Sequence, residues 1–252
     1  MLNLAIIGDG KMGQRIKELA PSFGMRPVLV LGADENKGGS AITPERFKGI
    51  DVAIDFTHPD SVRTHIKKVA QLGIPIIVGT TGWYDDSNWV ETIAEKYRAR
   101  IVYGSNFSLG VQLYIKLAKK AGELFGRTTI FDTSIHEVHH TSKIDAPSGT
   151  AITIGNEWLK GAEKPKEYVF GIQEKGTVDK EKLRITSQRT GSVFGDHSIR
   201  INSEWDDIEL THRARSRNGF VAGALKTAVW IVDQKEHGFH LIENIVEEVL
   251  QV

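Results

Sequence analysis

The first hundred residues alternate apolar segments with amphipathic ones, and no other feature limits the possible fold as strongly. The opening stretch, "NLAIIGDGKMGQRIKELA", predicts a strand over residues 4–7, a glycine turn, and a helix with apolar residues at helical spacing. Four more strands are predicted in "PVLVLGAD", "DVAIDF", "IPIIVGTTG" and "ARIVYGSNFS", and two more helices in "PDSVRTHIKKVAQLG" and "SNWVETIAEKYR". This order predicts an α/β domain over residues 1–107, with a doubly wound parallel sheet covered on both faces.

Residues 108–216 follow a different pattern. "LGVQLYIKLAKKAGELFG" predicts a helix that carries Leu113, Leu117, Ala121 and Leu124 at helical spacing. The stretches "TTIFDTSIHEV", "LRITSQRT", "VFGDHSIRINS" and "DIELTHRA" predict strands, with one helix after Pro147 and a polar loop at 160–182. We therefore expect an α+β domain inserted into the first domain. Residues 217–252 return to helical spacing and are expected to complete the first domain.

Charge balance and residue usage exclude several classes of protein. The chain has 252 residues, and its 32 Lys plus Arg balance 32 Asp plus Glu, so no net charge recruits nucleic acid or an anionic membrane. Because cysteine is absent, disulfides and thiolate metal sites are excluded. The first residues show no basic leader, and no apolar run reaches transmembrane length. We expect a cytoplasmic protein with neither nucleic acid nor membrane as a partner.

The glycine turn "GDGKMG", residues 8–13, lies between the first strand and the first helix. Glycine permits the tight turn and the close approach of the main chain to a pyrophosphate, while N–H groups at the helix start bind phosphates. Asp34 and Glu35 follow the second strand, where a carboxylate accepts hydrogen bonds from an adenosine ribose. The motif predicts an NADH or NADPH site. The preference stays open, because Lys11 could reach a 2′-phosphate that Asp34 or Glu35 would repel.

Two further loops follow predicted strands of the same sheet. They are "GTTG" at residues 79–82 and "GSNFS" at residues 104–108. Because ligands of open α/β sheets lie beyond the carboxyl ends of the strands, we expect both loops near the nicotinamide of a bound dinucleotide. Phe107 could pack against the nicotinamide ring. A polar turn without a ligand is the alternative explanation of "GTTG".

"HEVHH", residues 136–140, matches the His-Glu-x-x-His pattern of zinc hydrolases. That site needs one helical turn, in which residues four apart share an ion. The preceding "TTIFDTSI" is rich in Thr, Ile and Phe and predicts a strand instead. On a strand, His136 and His140 would lie about 13 Å apart, four rises of roughly 3.3 Å. We therefore expect no metal site here.

The residues that follow suit an anionic substrate. Gly149 and Thr150 lie at the start of a predicted helix, where free N–H groups can hold a carboxylate. Lys143 adds a cation, and His139 and His140 titrate near neutral pH. The cluster predicts a site that binds an anion and protonates it while a hydride arrives. Surface histidines beside an ordinary helix cap are the alternative.

The stretch "EVHHTSKIDAPSGTA" resembles the signature of the dihydrodipicolinate reductase family. The similarity extends to "GDGKMGQRI", "VAIDFTHP", "VGTTGW", "SNFSLGV", "RTGSVFGDH" and "LTHRARSR", and so covers essentially the whole chain. It implies a Rossmann-like dinucleotide-binding domain, residues 1–107 completed by 217–252, and a substrate-binding and tetramerisation domain, residues 108–216. The implied activity of this homotetramer is reduction of 4-hydroxy-tetrahydrodipicolinate with NADH or NADPH, in lysine and diaminopimelate biosynthesis.

The resemblance also implies roles for individual residues. His139 looks like the catalytic proton donor or acceptor, and Lys143 like a second proton donor. His140, Lys143, Gly149 and Thr150 look like contacts of the dicarboxylate substrate. The implied cofactor contacts are Gly8, Asp9, Gly10, Lys11, Met12, Asp34, Gly79, Thr80, Thr81, Gly104, Ser105, Asn106 and Phe107.

Three departures from the family pattern leave details of cofactor binding open. The glycine turn is one residue shorter than in many members, Ser105 replaces a frequent alanine, and Glu35 replaces an arginine that often follows the acidic ribose ligand. Two other functions remain open: a different two-domain NAD(P)-dependent dehydrogenase and a dinucleotide sensor without turnover. The motif from residue 136 onward favours the reductase, because a sensor has no use for a proton donor beside a carboxylate site.

Overall fold

The computed structural model of the protein describes residues 1–83, 87–171, 179 and 181–252. The chain divides into two units, each with its own core. The first unit comprises Met1–Leu109 and Asn218–Val252, and the second comprises Gly110–Arg217. Among the helices of the described residues, none is long and apolar enough to cross a membrane.

The first unit is built on a parallel sheet of six strands. They are β1 (Leu2–Ile7), β2 (Met25–Leu31), β3 (Val52–Asp55), β4 (Ile76–Val78), β5 (Arg100–Tyr103) and β11 (Gly238–Leu241). Their order is β11-β5-β4-β3-β1-β2. The central strands consist mainly of buried Ile, Val and Ala, because such a sheet is covered on both faces. The order reverses between β1 and β3, and open α/β sheets bind ligands at such a switch point.

Helices cover both faces of this sheet, which confirms the predicted doubly wound fold. On one face lie α1 (Lys11–Leu19), α6 (Asn218–Asp233) and α7 (Ile242–Val249), which share one core cluster with the sheet. On the other lie α2 (Pro59–Gln71) and α3 (Ser87–Tyr97), which share a second cluster. The helix α2 ends just before Gly73, whose φ of +71° is left-handed and stops the helix.

The second unit contains a mixed sheet of five strands. They are β6 (Asp132–His139), β7 (Glu167–Phe170), β8 (Lys182–Arg189), β9 (Asp196–Asn202) and β10 (Asp207–Arg213), in the order β10-β9-β6-β8-β7. The central strand β6 pairs parallel with β8 and antiparallel with β9. The helices α4 (Leu109–Phe125) and α5 (Gly149–Gly161) contribute buried residues to the core on one face of this sheet.

One expectation about the second unit was wrong. The polar loop expected at 160–182 contains the strand β7, whose side chains are mostly exposed, and residues 172–178 and 180 of that stretch lie outside the described residues. The helix α4 was predicted correctly, but Leu113, Leu117 and Leu124 are exposed. Its buried face carries Val111, Tyr114, Ile115, Ala118 and Ala121 instead. Helical spacing fits both stripes, so the sequence alone did not decide between them.

Candidate active site

The strand β6 places two residues of the "HEVHH" string in the interior. Its side chains alternate between half-buried and buried, and Glu137 and His139 are on the buried side with Ile135 of the core. His136 is on the other face, where its Nδ1 lies 2.8 Å from the hydroxyl of Thr186. Because these residues form a strand, the helical geometry of a His-Glu-x-x-His zinc site is not formed.

The carboxylate of Glu137 is fully buried and accepts hydrogen bonds from three parts of the second unit. Its Oε2 is bonded to Nδ1 of His139. Its Oε1 accepts from the guanidinium of Arg189 on β8 at 2.8 Å and from the main-chain N–H of Ser148 at 3.3 Å. Burial alone would raise the pKa of Glu137, but hydrogen bonds from His139, Arg189 and Ser187 outweigh burial and lower this pKa to about 2. The carboxylate is therefore ionised at neutral pH.

Arg189 also fixes the loop that carries Lys143. Its guanidinium donates to the main-chain carbonyl of Asp145 at 2.6 Å. The ammonium of Lys143 donates to both carboxylate oxygens of Asp145, at 2.8 and 3.0 Å, and this hydrogen bonding lowers the pKa of Asp145. Nδ1 of the neighbouring His140 lies 2.8 Å from the hydroxyl of Ser142. Since Asp145 is exposed, its ion pair with Lys143 is weak.

Ser148 links the start of α5 to the strand β9. Its hydroxyl accepts from the main-chain N–H of Ala151 at 3.1 Å and lies 3.3 Å from Nε2 of His197. The rings of His197 and His139 meet edge to face, with centroids 5.2 Å apart. Burial, and then the charge of His139, lower the pKa of His197 to about 3, so His197 is neutral. A Cβ on Gly149 would meet nothing within 4 Å, which leaves open space at the start of α5.

Glu137, His139 and His197 each offer a ligand atom, and these atoms lie within 4.8 Å of one another. A metal ion among them would have to displace the hydrogen bond between His139 and Glu137. It would also face the guanidinium of Arg189 on the same carboxylate. The donors present therefore fit a hydrogen-bonded cluster better than a metal centre.

In the first unit, the glycine turn leads from β1 into α1. A Cβ on Gly13 would lie 1.8 Å from the carbonyl oxygen of Gly8, and Gly8 itself has a φ of +106°. These two glycines are required by close packing. A Cβ on Gly10 would meet nothing within 4 Å, and α1 begins after Gly10 without a side-chain cap. The open space and the N–H groups at this helix start fit the pyrophosphate of NADH or NADPH.

A second buried carboxylate, Asp55, lies at the end of β3. Its Oδ2 is 2.8 Å from Nδ1 of His65 on α2, and its Oδ1 accepts from the hydroxyls of Thr57 at 2.8 Å and Thr80 at 2.6 Å. Nε2 of His65 is 3.1 Å from the side-chain nitrogen of Asn36. This network joins the loops that follow β2, β3 and β4, and the predicted cofactor contacts include residues of two of these loops.

Thr80 and Phe107 were expected to contact the cofactor. The hydroxyl of Thr80 is engaged with Asp55, and the side chain is 4% exposed. Phe107 is 2% exposed, and its ring lies 6.3 Å from that of Phe56 within the core of the first unit. Their side chains therefore belong to the interior in this arrangement. Packing of the Phe107 ring against a nicotinamide stays a prediction.

The two acidic residues after β2 differ in their surroundings. Glu35 is bonded to Arg46 at 3.0 Å and accepts from the N–H of Gly32 at 3.3 Å, and these contacts lower the pKa of Glu35. Asp34 is exposed. Glu35 is thus already partnered, whereas Asp34 can turn toward a ribose. This difference favours Asp34 as the ribose ligand.

The fold and the site together define a class of protein. A doubly wound sheet with a pyrophosphate-binding turn, followed by a second unit that holds a buried histidine–carboxylate cluster, is typical of NAD(P)H-dependent oxidoreductases. The protein-family model for the N-terminus of dihydrodipicolinate reductase matches residues 2–107. The family model for its C-terminus matches residues 110–246. The chain belongs to the dihydrodipicolinate reductase family.

Individual relatives agree with this assignment. The 4-hydroxy-tetrahydrodipicolinate reductase of Christiangramia forsetii is 33% identical over 251 residues, which cover 99% of this chain and 100% of the relative. The enzyme of the same name from Magnetococcus marinus is 35% identical, over 79% of this chain and 73% of the relative. The dipicolinate-bound dihydrodipicolinate reductase of Paenisporosarcina sp. TG-14 has a similar structure, with a TM-score of 0.77 and 26% identity, covering 97% of this chain and 99% of that one.

Sequence reasoning gave no role to Glu137, Arg189 and His197. A signal was available for Glu137, because residues two apart on a strand share a face and Glu137 therefore accompanies His139. Arg189 and His197 come from β8 and β9. They lie opposite His139 and Glu137 only because of the strand register, and spacing along the chain does not reveal that register.

Proposed function

We propose that this protein is a 4-hydroxy-tetrahydrodipicolinate reductase that uses NADH or NADPH. The observation that carries the proposal is the placement of His139 at the end of β6, next in the chain to the Lys143 loop. His139 is also linked to the start of α5 through Glu137, which accepts from the main-chain N–H of Ser148. That arrangement suits protonation of a bound dicarboxylate. A homotetrameric assembly and a cytoplasmic location are part of the same proposal.

The second unit would bind the substrate through its carboxylates. Gly149 and Thr150 present main-chain N–H groups in the first turn of α5, and Lys143 supplies a positive charge. His140, adjacent to the loop, adds a further donor. These contacts orient the ring and compensate its negative charge, so the reacting carbon is held in place for reduction.

The chemistry is a reduction coupled to loss of water. The 4-hydroxyl of the substrate leaves as water, which yields a conjugated cyclic imine. The cofactor, when bound at the glycine turn of the first unit, supplies the hydride. Hydride addition leaves an electron pair on the ring that must take up a proton, and His139 donates it with assistance from Lys143.

The test is a coupled assay in which an upstream synthase generates the unstable hydroxylated substrate in the cuvette. We expect substrate-dependent oxidation of NADH, NADPH or both, which is measured as a decrease in the absorbance of the reduced cofactor. Cofactor binding without any oxidation would instead identify a dinucleotide sensor. Oxidation with a different dicarboxylate alone would identify another dehydrogenase.

The role of His139 is tested by His139→Gln. We expect kcat to fall by about 10² to 10⁴, because a general acid is lost, while cofactor binding stays unchanged. The matched control is His136→Gln, which changes a histidine of the same strand on the opposite face. That control should turn over like the unaltered protein, and normal turnover of His139→Gln would contradict the assignment.

A further inference from the structure

We propose that Glu137 is a positioning residue for the reaction, which holds the Nδ1 proton of His139 and thereby leaves Nε2 as the only ring nitrogen that exchanges protons with the substrate. Arg189 is a second positioning residue, since its guanidinium donates a hydrogen bond to Glu137. The inference rests on the proposed function of His139 and extends it to two residues that do not touch the substrate.

The first step is the tautomer of His139. An ionised carboxylate only accepts hydrogen bonds, so the contact between Oε2 of Glu137 and Nδ1 of His139 requires a hydrogen on Nδ1. This holds for the neutral ring and for the protonated ring alike. The proton that comes and goes must therefore be the one on Nε2.

The second step is the space around Nε2. A Cβ on Gly195 would lie 2.9 Å from Nε2 of His139, and Gly195 has a φ of +146°, which disfavours any other residue. Within the described part of the chain, no hydrogen bond to Nε2 is found. His139 is 8% exposed, and the main chain of Gly195 packs close to this nitrogen without placing a side chain against it.

The third step is the charge of the surroundings. Lys143 and Arg189 are cations, and His197 and His212 have pKa values lowered chiefly by burial, so both are neutral at neutral pH. Among the described residues, Glu137 is the anion in direct contact with His139. An imidazolium formed at His139 would therefore depend on Glu137 for its stabilisation.

Arg189 explains why Glu137 can serve this purpose. Burial by itself favours the protonated acid, and a protonated Glu137 could no longer accept from His139 in the same way. Hydrogen bonds from His139, Arg189 and Ser187 keep the carboxylate ionised. Arg189 at 2.8 Å and the N–H of Ser148 at 3.3 Å reach one oxygen, and His139 is bonded to the other.

The decisive variant is Glu137→Gln, which has nearly the same shape. Its amide oxygen can accept from Arg189, so its NH₂ group must face Nδ1 of His139 and donate to it. This would invert the tautomer and place the hydrogen of the neutral ring on Nε2. We expect kcat to fall by at least about 10², with the KM of the cofactor unchanged, and Glu137→Asp to recover part of the loss because it restores the charge.

A direct readout does not depend on activity. Nitrogen NMR of histidine-labelled protein distinguishes the two neutral tautomers by their ring-nitrogen shifts, and comparison with His139→Gln identifies the signals of His139. We expect the Nδ1–H form in the unaltered protein and the Nε2–H form in Glu137→Gln. Finding Nε2–H in the unaltered protein would overturn the inference, even if Glu137→Gln failed to fold.

Asp132→Asn is the matched control, because Asp132 also accepts from an arginine of β8, Arg184, at 2.6 Å, but at the opposite end of β6. It should change neither kcat nor the tautomer of His139. The possible failures are separable. Normal turnover of His139→Gln would contradict the proposed function. A low kcat of His139→Gln together with a normal kcat of Glu137→Gln would contradict only the role of Glu137.

Discussion

The two units contain the same chemical pair in two different settings. Asp55 and Glu137 are both fully buried carboxylates near the ends of parallel-paired strands, and each contacts Nδ1 of a histidine. In the first unit, Nε2 of His65 meets the side chain of Asn36 at 3.1 Å. In the second unit, Nε2 of His139 has no hydrogen-bond partner among the described residues, and Gly195 packs against it without a side chain.

The surroundings of His65 determine its tautomer from both sides. The side-chain oxygen of Asn36 accepts from the main-chain N–H of Ala41 at 3.1 Å, so its NH₂ group must face His65 and donate to Nε2. The hydrogen of His65 then lies on Nδ1 and is donated to Asp55. Both ring nitrogens have hydrogen-bond partners, so this pair has a structural role. A carboxylate–histidine pair becomes usable for chemistry only where one ring nitrogen is left free.

The largest expected difference separates the two histidines. His65→Gln should lower the free energy of unfolding by about 1 to 3 kcal/mol, because it disturbs a buried hydrogen-bond network, yet leave kcat at saturating cofactor nearly unchanged. His139→Gln should instead lower kcat by about 10² to 10⁴. Urea unfolding and steady-state kinetics on both variants make the comparison, and an equal loss of kcat in both would erase the distinction.

The next effect is the loss of stability when the buried carboxylate of Asp55 is replaced. Asp55→Asn should lower the free energy of unfolding by about 2 to 4 kcal/mol, because it removes a buried charge that accepts from His65 and two hydroxyls. The control is Asp51→Asn just before the same strand, where an exposed carboxylate accepts from the N–H of Asn3. A similar loss in both variants would show that burial of Asp55 is not what matters.

The effect that is smallest at neutral pH is an acid dependence that originates in the second unit. His197 has a pKa lowered from 6.5 to about 3, so between these values the unfolded chain binds a proton that the folded protein does not. The contribution of His197 is therefore complete above pH 6.5 and is lost as the pH falls toward 3, with a slope of at most about 1.4 kcal/mol per pH unit. Urea unfolding of His197→Asn in mildly acidic buffer should show a shallower slope. An unchanged slope would assign the acid dependence to other groups.

The sequence predicted those parts of the molecule in which local pattern and tertiary structure agree. The alternation of apolar strands and amphipathic helices was sufficient for the first unit, and the residue types before His136 were sufficient to recognise a strand. The short strand β11 was missed because "GFHL" is half-buried and weakly patterned. The buried face of α4 was missed because two apolar stripes compete on that helix.

Only those residues of the candidate site that lie close together in the sequence could be predicted. His139, His140, Lys143 and Gly149 lie within a dozen positions, and their chemistry could be inferred from that closeness. Arg189 and His197 reach the same place through pairing of β6 with β8 and β9. That register depends on packing of the whole sheet, which no short stretch of sequence encodes.

The parallel pairing of β6 with β8 also has a consequence for the order of folding. Glu137 and Arg189 are 52 positions apart, and parallel strands cannot meet until the intervening chain has been closed into a loop. Helices α4 and α5 have only local contacts to form first, so we expect their signal to return early during refolding. Catalytic activity should return later, because His139 acquires its partners only when β6 has paired with β8 and β9, which lie far from it in the sequence.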